Sequence, residues 1–243
     1  VGSEMCIRDR STRDELVERG YDKSKIKIIH NGISFKPWTP QQWCVKEEVP
    51  TFIYAGRYSP YKGIDVAIEA LACVKRKYPY ARLWIIGKKD QKYVDKNLIS
   101  ICKTRHLIWE DAVDNNPSGD IVSWGYVSEN KKLELLSRSW VLLFPSIREG
   151  WGIPITEAGC VGTPCIAFDS PGIRDAIDNG NAGYLCTERT IEGLATQMCL
   201  AISNKELLNE KREKAFCFSS QFQWDGIGKE FGQFIDVLTK TKR

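Results

Sequence analysis

The chain has only two histidines among its 243 residues, and none of its nine cysteines stands in a Cys-x-x-Cys pair. A structural zinc site needs about four nitrogen or sulfur ligands at close spacing, so none is expected. The cysteines lie at 6, 44, 73, 102, 160, 165, 186, 199 and 217. Cys73, Cys165 and Cys199 fall inside apolar patterns and read as small buried hydrophobes. Reduced thiols in a cytoplasmic protein are therefore expected rather than a disulfide framework. No apolar run reaches the length of about 18 residues that a membrane-spanning helix requires. Charge of one sign is not concentrated either. The 35 basic and 31 acidic side chains give a net +4 and are scattered, which argues against a nucleic-acid partner. The mild positive balance suits anionic small molecules or an acidic lipid surface. Neither an internal repeat nor a low-complexity tract is present.

What remains is 42% hydrophobic, enough for one large domain or one and a half small ones. The opening VGSEMCIRDR has no apolar core and so is not a signal peptide. It reads as a translated sequencing-adapter end, and residues 1–10 are set aside from fold reasoning. Text that reads as native starts at Ser11, inside a helix pattern, so residues upstream are expected to be missing. Ser11 is expected to cap a helix through TRDELVERG that stops at Gly20, before the short strand KIKIIHNGI and an Asn31-Gly32 turn. Residues 36–50 hold Pro37, Pro40, Pro50 and two tryptophans, the composition of a linker.

From Thr51 a repeating pattern sets in. TFIYAG and ARLWIIG are continuous apolar runs, and between them Ile64, Ala67, Ile68, Leu71 and Val74 share one helical face. Further strands are expected at IVSWGYV, VLLFPS, PCIAFD and GYLC, with helices at KKLELLSRS, PITEAGCVG and IRDAI. Three helices follow: IEGLATQMCLAI, KELLNEKREKAF and WDGIGKEFGQFIDVL. The stretch 90–120 carries Asn115-Asn116-Pro117-Ser118-Gly119 and reads as less regular, with a loop there. Strands apolar on both faces imply a parallel sheet covered by helices on both sides, an α/β Rossmann-like domain over 51–223.

Ligands of such sheets bind beyond the carboxyl ends of the strands, and polar residues converge there. In GRYSPYKG (56–63), Arg57 and Lys62, the latter beside a helix N-terminus, suit a diphosphate. Taken alone, the motif fits a surface ion pair and a solvated lysine equally well. In REGWGIPITEAG, Gly150 and Gly152 precede a helix that Pro154 can start, leaving backbone N–H groups open to phosphate. Glu149 in the loop and Glu157 a turn into that helix can accept hydrogen bonds from ribose and sugar hydroxyls. Glu157 could instead merely complement the helix dipole, but that leaves the glycines unexplained.

These residues carry a resemblance. GRYSPYKG at 56–63, the segment 125–177 and the Glu149-x7-Glu157 spacing resemble the C-terminal half of GT-B-fold glycosyltransferases, most closely the retaining family 4 enzymes. Residues 11–35 resemble the end of such an enzyme's N-terminal, acceptor-side domain. The resemblance implies transfer of a sugar from a UDP-, GDP- or ADP-linked donor to an acceptor hydroxyl on a glycan, lipid or small molecule, with retained anomeric configuration. It implies that Arg57 and Lys62 bind the diphosphate, that Glu157 holds the ribose, that Glu149 contacts the transferred sugar or helps stabilise charge on its face, and that Glu149, Arg57 and Lys62 are the catalytic residues. Backbone at Gly150, Trp151, Gly152 and Ile153 would meet sugar or phosphate, and backbone at Tyr126 and Val127 the base. The resemblance implies no cofactor and no metal, with Arg57, Lys62 and a helix N-terminus neutralising the leaving group instead, and no Asp-x-Asp pair lies on this rim. Asp175 stands where the family often has Glu, and Trp151 where it more often has Phe. The last helix, 224–243, would pack on the missing domain, leaving Trp224, Ile227, Phe231, Phe234 and Ile235 partly unsatisfied here. Peripheral membrane contact would run through that domain. The fragment alone is expected to bind donor without transfer. A nucleotide-binding module without catalysis, or a GT-B-fold epimerase or phosphorylase, stays open as an alternative.

Overall fold

A computed structural model describes residues 5–113 and 117–240. Residues 1–4 of the segment set aside, Asn115 and Asn116 of the expected loop, and residues 241–243 lie outside the described residues. Strand β1 (Met5–Ile7) pairs in parallel with β2 (Ile26–Ile28), and α1 (Arg10–Glu18) joins them. Residues 5–10 thus take part in the fold although their text set them aside. The cap of α1 is Asp9 rather than Ser11. The Asp9 carboxylate is buried and accepts from the Thr12 N–H at 2.8 Å, the Thr12 hydroxyl at 2.8 Å and the Ser11 hydroxyl at 2.6 Å. A carboxylate takes more donors than a serine hydroxyl does, so the start shifts two residues upstream.

The main sheet has seven strands: β3 (Thr51–Ala55), β4 (Arg82–Ile86), β5 (Trp109–Asp111), β6 (Ile121–Gly125), β7 (Val141–Phe144), β8 (Cys165–Phe168) and β9 (Gly183–Cys186). Their order is β5-β6-β4-β3-β7-β8-β9, and every pairing is parallel. Strand side chains alternate between faces, and the apolar runs divide accordingly. Phe52, Tyr54, Leu83, Ile85, Val141 and Leu143 join one core, and Ile53, Ala55, Trp84, Ile86, Leu142 and Phe144 join the other. The first core is closed by α2 (Ile64–Lys75), whose Ile64, Ala67, Ile68, Leu71 and Val74 are fully buried. The stretch 90–120, read as irregular, is largely structured. It holds α3 (Gln91–Tyr93), a π-helical turn over Val94–Leu98, α4 (Ile99–Arg105) and the edge strand β5. Val94, Leu98 and Cys102 form the buried stripe of that run.

The second core is closed by α5 (Glu129–Arg138), α6 (Ile153–Gly159) and α7 (Ile173–Ala176). Helix α8 (Ile191–Ser203) packs on α2, and α9 (Lys205–Ser219) on α6. The linker 36–50 lies along this domain. The Lys46 ammonium donates to the Ser139 carbonyl at 2.6 Å, the Thr163 hydroxyl at 2.7 Å and the Gly162 carbonyl at 3.1 Å. Ile33 bridges to Gln223 just before α10 (Trp224–Lys240). Of the expected apolar face of α10, Ile227 is buried and Phe234 half-buried, while Trp224, Phe231 and Ile235 are exposed. Among the described residues no helix is long and apolar enough to cross a membrane.

Candidate functional site

The switch in strand order lies at β3 and β7, which are neighbours, so the loops leaving their carboxyl ends meet. The β3 loop is pinned from below. The buried Tyr58 hydroxyl donates to the Ile85 carbonyl at 3.2 Å and lies 3.1 Å from the Ser123 hydroxyl, and burial pushes its pKa up to about 12. The Tyr54 hydroxyl donates to the Arg57 carbonyl at 2.8 Å, fixing the backbone while the Arg57 side chain stays exposed. A short turn, Pro60–Lys62, then delivers Lys62 to the start of α2 through Gly63. Gly63 has φ 71°, and a Cβ there would stand 2.4 Å from the Pro145 carbonyl oxygen, so the turn passes under β7's loop only as glycine.

The β7 loop answers with Glu149. Lys62 and Glu149 form an ion pair, and the Ser146 hydroxyl donates to Glu149 Oε1 at 2.7 Å. The Glu149 N–H donates to the Pro171 carbonyl at 3.2 Å. Gly172 (φ 78°) backs the same residue so closely that a Cβ would sit 1.8 Å from the Glu149 carbonyl oxygen.

At the same carboxyl rim a cleft of about 190 Å³ opens over the ends of β3, β4 and β6. Its floor is Gly56 and Gly87, its mouth Tyr126 and Val127, and its walls Glu129, Lys132, Pro154 and Glu157. Tyr126 is 86% exposed. Helix α6 starts at Ile153 from a left-handed Gly152, so Pro154 is its second residue and still in the first turn, where N–H groups lack helical partners. Glu157 lies one turn in. Burial raises its pKa, opposed by Lys132, whose ammonium is 2.7 Å from Glu157 Oε1 and 2.8 Å from Glu129 Oε1. For Lys132 burial works toward a lower pKa, but the hydrogen bonds to Glu129 and Glu157 outweigh it and the net direction is up.

The structure brings Arg57, Lys62 and Glu149, and Tyr126, Val127 and Glu157, to one rim. Gly150 and Ile153 lie on the segment between them, with Ile153 42% exposed. The side chain of Trp151 goes elsewhere. It is buried, donates from Nε1 to the Thr156 hydroxyl at 2.9 Å and packs on His30 and Phe222, with ring centroids at 4.2 and 4.9 Å. Asp175 is buried and accepts from the Arg10 N–H at 2.6 Å. Lys132, Glu129 and Ser146 were not anticipated. In sequence Lys132 and Glu129 look like a solvated helix pair, and Ser146 like a strand end. Among the described residues no cluster of three or more His, Cys, Asp or Glu could hold a metal.

A doubly covered parallel sheet with its charged pairs at the carboxyl rim defines a Rossmann-like domain. The chain belongs to the family Glycosyl transferases group 1, whose sequence profile matches residues 36–216. An uncharacterized glycosyltransferase of Haemophilus influenzae is 28% identical over 196 residues, covering 77% of this chain and 51% of the relative. A glycogen synthase of Mycobacterium tuberculosis is 27% identical over 235 residues, covering 96% and 54%. The chain thus spans about half the length of the curated relatives it matches. Among solved structures, Anabaena Alr3699/HepE in complex with UDP superposes with a TM-score of 0.79 at 19% identity, covering 97% of this chain and 64% of that one. A glycosyltransferase from Rickettsia africae gives 0.78 at 21%, covering 98% and 64%. The fold is the Rossmann-like half of GT-B glycosyltransferases.

Proposed function

We propose that this chain is the donor-binding half of a retaining, family 4-like glycosyltransferase, which moves a sugar from a nucleoside diphosphate to an acceptor hydroxyl. The observation that carries the reading is that both glutamates of the Glu149-x7-Glu157 pair stand on the carboxyl rim, each held by a lysine, Lys62 and Lys132. In this reading Arg57, Lys62 and the N-terminus of α2 neutralise the leaving diphosphate in place of a metal. Glu157 accepts from the ribose hydroxyls, and Tyr126 and Val127 border the base. Glu149, braced by Ser146 and Gly172, faces the transferred sugar. Backbone of Gly150, Gly152 and Ile153 lies between. Trp151 contributes through its backbone, its indole being committed to the core. The Anabaena structure was solved with UDP, which makes uridine nucleotides the first donors to try.

The acceptor, whether glycan, lipid or small molecule, is placed on the other half of the parent enzyme. The setting proposed is the cytoplasm, with any contact to a membrane surface made through that half. The isolated chain binds donor without transferring it. The test is the anomeric configuration of product made by the parent enzyme, read by proton NMR from an α-linked donor. An α-linked product supports the reading, and a β-linked product contradicts retention.

A further inference from the structure

Two consecutive lysines on α5 have different fates. Lys131 stays with its own helix and the preceding strand, 2.9 Å from Glu134 and over the Trp124 ring at 5.1 Å. Lys132, one helical step of about 100° further round, turns into the cleft and bridges Glu129 on its own helix to Glu157 on α6. The Lys132 side chain is 22% exposed and that of Glu157 14%. Within the lining of this cleft, Glu129, Lys132 and Glu157 are the charged residues, and Gly56 and Gly87 bring backbone alone.

Resting on the reading of Glu157 as the ribose acceptor, we propose that Lys132 is a positioning residue for nucleotide binding, keeping the Glu157 carboxylate ionised and turned toward the cleft. A diol offers two O–H donors, and an ionised carboxylate accepts both in charge-assisted hydrogen bonds. A protonated one keeps a single carbonyl acceptor and presents a competing donor. Burial drives Glu157 toward the protonated form. The groups facing it are Lys132 and Glu129 from α5, Cys160 further along α6 and Tyr126 at the mouth. The Cys160 thiol is pushed by burial up to about 12 and stays neutral, and Glu129 repels. Lys132 is therefore the cation that opposes protonation. Its ammonium occupies Oε1, which leaves Oε2 and one lone pair of Oε1 for the ligand. Fixing a long side chain at both ends also lowers the ordering cost on binding.

The test measures the affinity of this chain for uridine, guanosine and adenosine diphosphates and their 2′,3′-dideoxy counterparts, between pH 5.5 and 8.5. Wild type, Lys132→Met, Lys132→Arg and Glu157→Gln are compared. Wild type is expected to prefer one ribonucleotide over its dideoxy form by roughly tenfold or more. In K132M that preference falls, and the pH at which it is lost moves upward, because protonation now reaches Glu157 at higher pH. Lys132→Arg restores both. In Glu157→Gln the preference is absent at every pH. A K132M protein that keeps the wild-type preference and pH profile overturns the role of Lys132 and leaves Glu157 as ribose acceptor standing. A wild type that does not distinguish ribose from dideoxyribose, or binds none of the nucleotides, overturns the reading of Glu157 and this inference with it. Should K132M fail to melt cooperatively, Lys132→Arg against Glu157→Gln decides. Arginine is expected to retain the ribose preference, and its loss there with the fold intact contradicts the proposal.

Discussion

Lys62 and Glu149, 87 residues apart in the chain, neutralise each other across the loops of two adjacent strands. Both side chains are mostly covered, at 20% and 15% exposure. A diphosphate that takes Lys62 must therefore compete with Glu149. Replacing Glu149 by Gln is expected to leave nucleoside diphosphate affinity unchanged or to raise it by up to about fivefold, the scale of a partly screened ion pair. In the proposed full-length glycosyltransferase the same change is expected to lower transfer. Titration calorimetry on the E149Q chain checks the first half, and an affinity loss above tenfold would show that Glu149 positions Lys62 rather than competing for it.

Gly172 supports Glu149 from behind. Gly172→Ala puts a side chain on a left-handed residue, at about 1–3 kcal/mol for the backbone alone, and forces its Cβ against the Glu149 carbonyl. The expected drop in melting temperature is roughly 4 °C or more. A thermal melt of G172A within a degree of wild type would contradict the close approach.

Tyr58 fastens the Arg57 loop to the sheet. Tyr58→Phe leaves the Ile85 carbonyl and Ser123 hydroxyl without their buried partner, at about 1–2 kcal/mol. Denaturant melts of Y58F measure the loss. The loop that carries Arg57 and Lys62 is expected to exchange amide protons faster in Y58F.

Glu157 holds its proton more tightly folded than unfolded. The folded state therefore binds more protons between the ordinary carboxylate value and the raised one, and stability falls as pH rises through that window. Glu157→Gln does not titrate there. Its stability relative to wild type is expected to improve as pH climbs from about 4.5 and then to level off, while nucleotide binding is lost. Urea melts of both proteins from pH 4 to 8 follow the difference, and a difference that moves the other way would mean that Lys132 dominates the local field.

The two cores were legible because β7 and all but the first residue of β3 and β4 are apolar and divide cleanly by parity. Strand β5 was not, since Trp-Glu-Asp at a sheet edge has no apolar run and is only half covered. The helical run before it buries one residue per turn, Val94, Leu98 and Cys102, too thin a stripe to stand out beside a loop-like sequence. At the rim, Glu149 and Glu157 could be read from spacing, and Arg57 and Lys62 from their place after a strand. Lys132 could not, because its i,i+3 partner Glu129 makes it look solvated, and only the packing of α5 on α6 turns it inward. Trp151 enters the site only through the resemblance, and the left-handed turn at Gly152 accompanies an indole directed to His30 and Phe222.

The account stands on a nucleotide site at the carboxyl rim, and the melting temperature of this chain with UDP, GDP and ADP in EDTA tests it most directly. A ligand that binds only the folded chain at a hundred times its Kd adds about 2.7 kcal/mol, or roughly 5–10 °C here. A rise with one of the three nucleotides, lost in both Arg57→Ala and Glu157→Ala, is the predicted result. No rise with any nucleotide, from wild-type chain that melts cooperatively, would contradict it.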